Sequence, residues 1–161
     1  VKRYPLVLLI FTLLLPTADL LAQDRMNKPN DFTIEGLGKC ALYSLSYQRM
    51  VSPQIGLEVG ASAIGGATSG AGGGVFFLTA GPRFYFTKNN ASPFITAGAV
   101  YITAGSQAGF LEGGGSTVYA YAAPGFEYRS PSGFLFRGSV YLLIISAAVF
   151  VWPGITLGIT F

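Results

Sequence analysis

From Phe32 onward the chain runs in short stretches that alternate apolar residues with small or polar ones at a period of two. Tyr43, Leu45 and Tyr47 alternate with Ser44, Ser46 and Gln48. Ile55, Leu57, Val59 and Ala61 alternate with Gly56, Glu58, Gly60 and Ser62, and Leu78, Ala80, Pro82, Phe84 and Phe86 with Thr79, Gly81, Arg83 and Tyr85. Phe94 to Gly105 is apolar with a blurred alternation. Between Thr117 and Arg129 the pattern returns, with Phe126 and Tyr128 in one phase and Glu127 and Arg129 in the other. Phe134, Phe136, Gly138, Val140 and Leu142 then oppose Leu135, Arg137, Ser139 and Tyr141, and Ile155, Leu157, Ile159 and Phe161 oppose Thr156, Gly158 and Thr160. A period of two marks strands whose faces meet different surroundings. Seven strands are clear.

Something must cover the apolar faces, and no run of the chain past its first residues reads as a helix or second sheet that could do so. Composition points to lipid. The chain is 51% hydrophobic and 11% charged, against about 25% charged in an ordinary soluble domain. Alternating strands with lipid on one face are the signature of a transmembrane β-barrel. The predicted fold is therefore all-β, a transmembrane antiparallel up-and-down barrel. Such barrels in bacteria have an even number of strands, which places an eighth at Phe32–Leu37, turning at Gly38-Lys39.

The connections support the same reading. Ser52-Pro53, Thr87–Pro93 and Arg129–Gly133 are short and polar, whereas Gly65–Gly74, Ser106–Ser116 and Ser146–Pro153 are longer. The two kinds alternate, as short periplasmic turns and long external loops do. A helical membrane protein is the main rival, because Val59–Pro82 and Asn89–Gln107 contain no charged residue. Those windows are rich in glycine, threonine and aromatics and lack a sustained helical face, so the barrel is preferred.

Residues 1–22 read as a secretory signal: Lys2 and Arg3, an apolar segment Leu6–Leu15, and cleavage after Ala22. Without Lys2, Arg3 and Asp19 the mature chain has 8 basic and 6 acidic residues, or +2. These charges are scattered, so no nucleic-acid face is expected. Residues 23–31 read as an irregular lead-in and residues 32–161 as the barrel. Cys40 is the only cysteine, which excludes an internal disulfide and any multi-cysteine metal site. Its role is unassigned.

The Gly154-Ile155-Thr156-Leu157-Gly158-Ile159-Thr160-Phe161 stretch, ending on an aromatic residue, resembles the terminal strand of bacterial outer-membrane proteins. Tyr43-Ser44-Leu45-Ser46-Tyr47-Gln48-Arg49 and Gly133-Phe134-Leu135-Phe136-Arg137 resemble strands of the same broad class, which includes the OmpA membrane domain and OmpX. The resemblance covers Phe32–Phe161. It implies location in the bacterial outer membrane, with the membrane lipid and the barrel assembly machinery as partners, and a monomer. Without the carboxy-terminal peptidoglycan-binding domain of the OmpA family in this sequence, no cell-wall tether is expected.

Candidate chemistry is sparse. There is no histidine, the residue on which outer-membrane barrel enzymes lean as base or activator, so a non-enzymatic protein without cofactors is expected. Gly65–Gly74 lacks the Lys-Ser/Thr that completes a phosphate loop. Tyr47, Phe84, Phe86, Tyr128, Phe134 and Phe161 near the periplasmic strand ends, and Trp152 (with Phe150 and Phe110) near the external ends, form a predicted pair of aromatic girdles. Glu58, Arg83, Glu127 and Arg137 all fall in the polar phase close to short turns. They are predicted to pair inside the barrel, because an isolated buried charge is strongly disfavoured. An Arg–Glu cluster would then plug the lumen and leave a structural or surface-interaction role. Small residues at many interior positions support the alternative of a narrow pore or carrier for a small solute, with the charges solvated separately.

Overall fold

The structure, a computed structural model, describes residues 25–68, 71–105, 115–146 and 148–161. Eight strands follow one another: β1 (Asn30–Leu37), β2 (Tyr43–Ser52), β3 (Ile55–Thr68), β4 (Ala71–Tyr85), β5 (Ala91–Ala104), β6 (Gly115–Arg129), β7 (Phe134–Ile145) and β8 (Ala148–Thr160). Each pairs antiparallel with its neighbours in sequence, and β1 pairs with β8 to close the barrel. At the seam the backbones of Asn30 and Phe161 exchange two hydrogen bonds, of 3.0 and 2.9 Å. No helix among the described residues is long and apolar enough to cross a membrane. The strand count, the alternation of faces and the position of the first strand agree with the sequence, and the helical rival falls.

Burial runs opposite to that of a soluble protein. Ile155 and Ile159 on the outer face are 55% and 59% exposed, whereas Glu127 and Arg137 on the inner face are 0% and 1% exposed. The outer face is a continuous apolar surface of Phe32, Leu57, Leu78, Ile95, Phe126, Leu157 and their neighbours.

Three expected boundaries are corrected. Gly65–Gly74 is not an open loop: β3 and β4 pair through Gly65↔Gly74 to Thr68↔Ala71. Glycine weakens a strand by lacking a side chain, but its backbone still completes the ladder once a partner is aligned. Ser146–Pro153 is not a loop either, because β8 pairs with β7 from Ala148↔Ile145 onward. Its β-branched and aromatic residues are strand formers. The lead-in is shorter than expected, since β1 starts at Asn30 and Arg25–Asn27 forms a 3₁₀ turn beneath it. The remaining loop lies almost entirely outside the described residues, as do residues 1–22 and Phe110.

The wall is uneven. β1 has 8 residues and β2 has 10, while β3 to β8 have 12 to 15. Pairing of β1 with β8 stops at Leu37↔Gly154, and pairing of β2 with β3 stops at Leu45↔Ala61. Above those points no strand among the described residues pairs with residues 148–153 of β8 or residues 62–68 of β3 on that side. The barrel has a notch.

Candidate functional site: the lumen

The inner face sorts its residues by level. In the half nearest the short turns, charged side chains interlock. Glu58 on β3 accepts from Arg83 on β4 at 2.8 Å, and lies 3.6 Å from Arg137 on β7. The Arg137 guanidinium also donates to Glu127 on β6 and, at 2.8 Å, to Asp31 on β1. The four residues predicted from the sequence are thus brought together on one network, with Arg137 touching both glutamates.

The network is larger than the sequence pattern alone implied. Arg129 donates to Glu127 at 2.6 Å and to Asp31 at 2.8 Å. Arg25, from the turn below β1, approaches Glu127 at 3.5 Å, donates to the Thr87 carbonyl at 2.8 Å, and stacks 4.0 Å over the Tyr85 ring. Gln48 bridges Arg83 at 2.5 Å and the Tyr85 hydroxyl at 3.0 Å, and Tyr85 donates to Glu127 at 2.6 Å.

A second lobe is built by the turn between β1 and β2. Gly38–Cys40 is a 3₁₀ turn folded into the bore, with all three residues buried. It carries the Lys39 ammonium to Glu35 at 3.0 Å and Glu58 at 2.9 Å. Tyr141 donates to Glu35 at 2.5 Å, and Tyr119 donates to the Lys39 carbonyl. Burial alone would lower the Lys39 pKa, but Glu58, Tyr141 and Glu35 hold it well above the usual value. Burial pushes the neighbouring Cys40 thiol up to about 12. Five bases and four acids therefore occupy one connected interior.

Of the charged residues outside the predicted four, Asp31 and Glu35 were legible. Both share the buried phase of β1 opposite Phe32 and Ile34, and both are under 3% exposed. Arg129 stood in phase with Glu127. Nothing in the local pattern marks Arg25 or Lys39, which enter through turns.

Above the charges the lumen is mostly apolar, lined by Phe77, Val100, Ile102, Tyr119, Tyr121 and Leu143, with Ser62 and Thr79 among them. Here rings lie over glycines. A Cβ at Gly98 would run into the Ala80 carbonyl and fall 2.7 Å from the Tyr121 hydroxyl, and one at Gly154 would fall 2.6 Å from the Tyr141 ring. Gly98 and Gly154 thus make room for aromatic rings, whereas Ser62 and Thr79 in the same part of the lumen bury hydroxyls without a protein partner.

The aromatic residues divide. Tyr47, Phe84, Phe86, Tyr128, Phe134 and Phe161 are all exposed on the outer face, in the phase expected. Trp152 is not: it pairs with Tyr141 and Phe150 pairs with Leu143, so both sit on the inner face of the β7–β8 hairpin. Because the supposed loop is strand, its alternation carries on from Thr156 and Gly154 and turns Trp152 inward. No cluster of potential metal ligands exists among the described residues.

No protein-family model matches the chain, and no curated protein matches it by sequence. Solved structures do. The N-terminal β-barrel domain of OprF from Pseudomonas aeruginosa is 15% identical with a TM-score of 0.59, over 82% of this chain and 95% of that one. The likeness establishes the fold. The outer membrane protein Ail of Yersinia pestis in a phospholipid bilayer nanodisc (15% identity, TM-score 0.50) matches over 82% of this chain and 98% of its own. The outer membrane protein OprG of Pseudomonas aeruginosa (12% identity, TM-score 0.50) matches over 82% and 93%. These neighbours are bacterial eight-stranded outer-membrane barrels, and the chain shares their architecture.

Proposed function

We propose that the mature protein is a non-enzymatic, monomeric barrel of the bacterial outer membrane whose closed lumen leaves it a structural or surface-interaction role. The observation that carries this reading is the interior network. Arg137 alone links β1, β3 and β6 to β7, Lys39 fills the bore from one side, and Arg25 fills it from the other. An eight-stranded barrel has an interior that side chains can fill, and here they are tied to one another by charge. The buried carboxylates among the described residues, Asp31, Glu35, Glu58 and Glu127, are all engaged in ion pairs. The apolar outer face and the fold neighbours support the membrane location, and export through cleavage after Ala22 completes the route.

Purified mature protein in planar bilayers should show no steady conductance. A steady open channel in the unmodified protein would sink the closed-lumen reading. One observation favours a narrow pore as the second reading: the hydroxyls of Ser46, Ser62, Thr79 and Tyr121 are buried without a protein partner, as groups that bind water would be. In that case conductance should appear and should rise when Arg25 is replaced by alanine.

A further inference from the structure

Among the described residues, the notch leaves a sheet face with no cover. The end of the β7–β8 hairpin, Leu142-Leu143-Ile144-Ile145 and Val149-Phe150-Val151-Trp152, is apolar on both sides. On its outer side Val149 and Val151 are 60% and 67% exposed, as lipid-facing residues are throughout the barrel. On its inner side Phe150 is 52% exposed, Trp152 40% and Ile145 37%; inward residues deeper in the bore are buried, while at the rim Thr117 is also exposed and Ile64 and Val75 are half-buried. Leu143, one step deeper, is almost covered, and joins the apolar upper lumen of Phe77 and Ile102.

We infer that the acyl chain of an outer-leaflet lipid enters sideways through the notch and lies on this inner face. The inference rests on the membrane reading proposed above. Three observations converge on a lipid chain. Apolar side chains lie on both sides of the unpaired backbone edge of β8, Ile155 and Val151 on the lipid face and Trp152 and Phe150 on the inner face. No charged side chain among the described residues lines it, since the nearest cation, Lys39, is held below by Glu35 and Glu58. The notch spans the width of two absent strands, or on the order of 10 Å at the usual strand spacing, which is wide enough for a hydrocarbon chain.

The same geometry places the polar end of the lipid. Unpaired backbone groups are not tolerated against hydrocarbon. The free edges of β3 and β8 therefore lie against the headgroup oxygens of the lipid seated there. Pro153 sits one residue past the last β1–β8 pair, and proline is confined to such unpaired edges in a sheet. A lipid seated here keeps its ester and phosphate oxygens at the notch and sends one chain inward over Phe150 toward Leu143. The closed charged floor gives it no onward path, so the site holds a lipid and does not conduct one through.

Trp152 is the only tryptophan and reports directly on the site. Mature protein reconstituted in phosphatidylcholine vesicles is measured with bromine-labelled acyl chains as one quencher and aqueous iodide as the other. A Trp152→Phe, Val151→Trp variant supplies a reference on the lipid-facing side. Bromolipid should quench Trp152 as fully as the reference, and iodide should quench neither. Phe150→Asp, or the milder Phe150→Asn if the former fails to fold, should expel the chain: bromolipid quenching of Trp152 falls and iodide quenching rises. The reference, carrying the same change at 150, stays lipid-quenched. Iodide quenching of the unmodified protein would mean a water-filled mouth and overturn the inference. Protection from both quenchers would mean a protein cover, including a second copy, and overturn it equally. Unchanged bromolipid quenching in both Phe150 variants would show that Trp152 senses only bulk lipid through the wall, and the inference would fall on that result too. Failure of the protein to float with the vesicles, or of the reference to be quenched, would instead strike the membrane reading itself.

Discussion

Arg137 is under 2% exposed and is the one side chain that touches Asp31, Glu58 and Glu127 together. Arg137→Ala takes one partner from three buried acids at once, leaving Asp31 and Glu127 to Arg129 and Glu58 to Arg83 and Lys39, and removing one partner of a buried ion pair typically costs about 3–5 kcal/mol. Urea unfolding in detergent should show a loss of that order; a loss below about 1 kcal/mol, the range of solvated surface pairs, would mean that water already screens the cluster. Glycines make a second contrast. A Cβ at Gly81 or Gly98 would run into the backbone carbonyl of Ala97 or Ala80, whereas one at Gly138 meets nothing within 4 Å. Gly98→Ala should destabilise by about 1–3 kcal/mol, as overpacking does, with Gly138→Ala near neutral in the same assay. Legibility at this scale followed periodicity. Glu58, Arg83, Glu127 and Arg137 could be found because each sits inside an unbroken alternation that fixes its face. Arg25 and Lys39 could not, because a turn has no period from which to read a direction.

Among the elements, the turn between β1 and β2 is held under strain. Leu37 and Ala41 have φ of 60° and 70°, which L-residues adopt at a cost. With ψ of −63° and the Leu42 amide bonded to the Cys40 carbonyl at 2.9 Å, Ala41 closes a γ-turn of the rare positive-φ kind. The ion pairs of Lys39 offset that strain. Ala41→Gly should stabilise the protein by about 1 kcal/mol, read as a rise in the urea midpoint. Cys40, within the same turn, should resist a maleimide at pH 8 in the folded protein and react on unfolding. Its raised pKa keeps the thiol protonated there, and the thiolate is the reactive form. Strands were visible in the sequence wherever apolar and polar residues alternate. The glycine-rich end of β3 and the wholly apolar end of β8 hid theirs, because neither offers a contrast between faces. Misreading the latter as a loop also misplaced Trp152.

For the whole molecule, orientation follows from the order of the turns. Lys88 lies in a short turn at the end of the barrel with the charged cluster, and Ser146 in the hairpin tip at the other. In a Cys40→Ser background, Ser146→Cys should label from outside intact cells with an impermeant reagent, and Lys88→Cys should not; the reverse would invert the barrel. The seam between β1 and β8 has a further consequence, for the route to the native state. Its partners, from Asp31↔Thr160 to Leu37↔Gly154, lie at nearly opposite ends of the described chain. Every arrangement short of closure leaves β1 and β8 as open edges able to template pairing with another chain. Closure also brings Asp31 to Arg129 and Arg137 across the bore, so the full interior network can form only with the last seam. Contacts so distant in sequence make for slow folding. Pairs such as Glu58–Arg83 and Glu127–Arg137 can form between neighbouring strands beforehand, whereas the Asp31 pairs wait for the seam, the contact with the largest loop-closure cost.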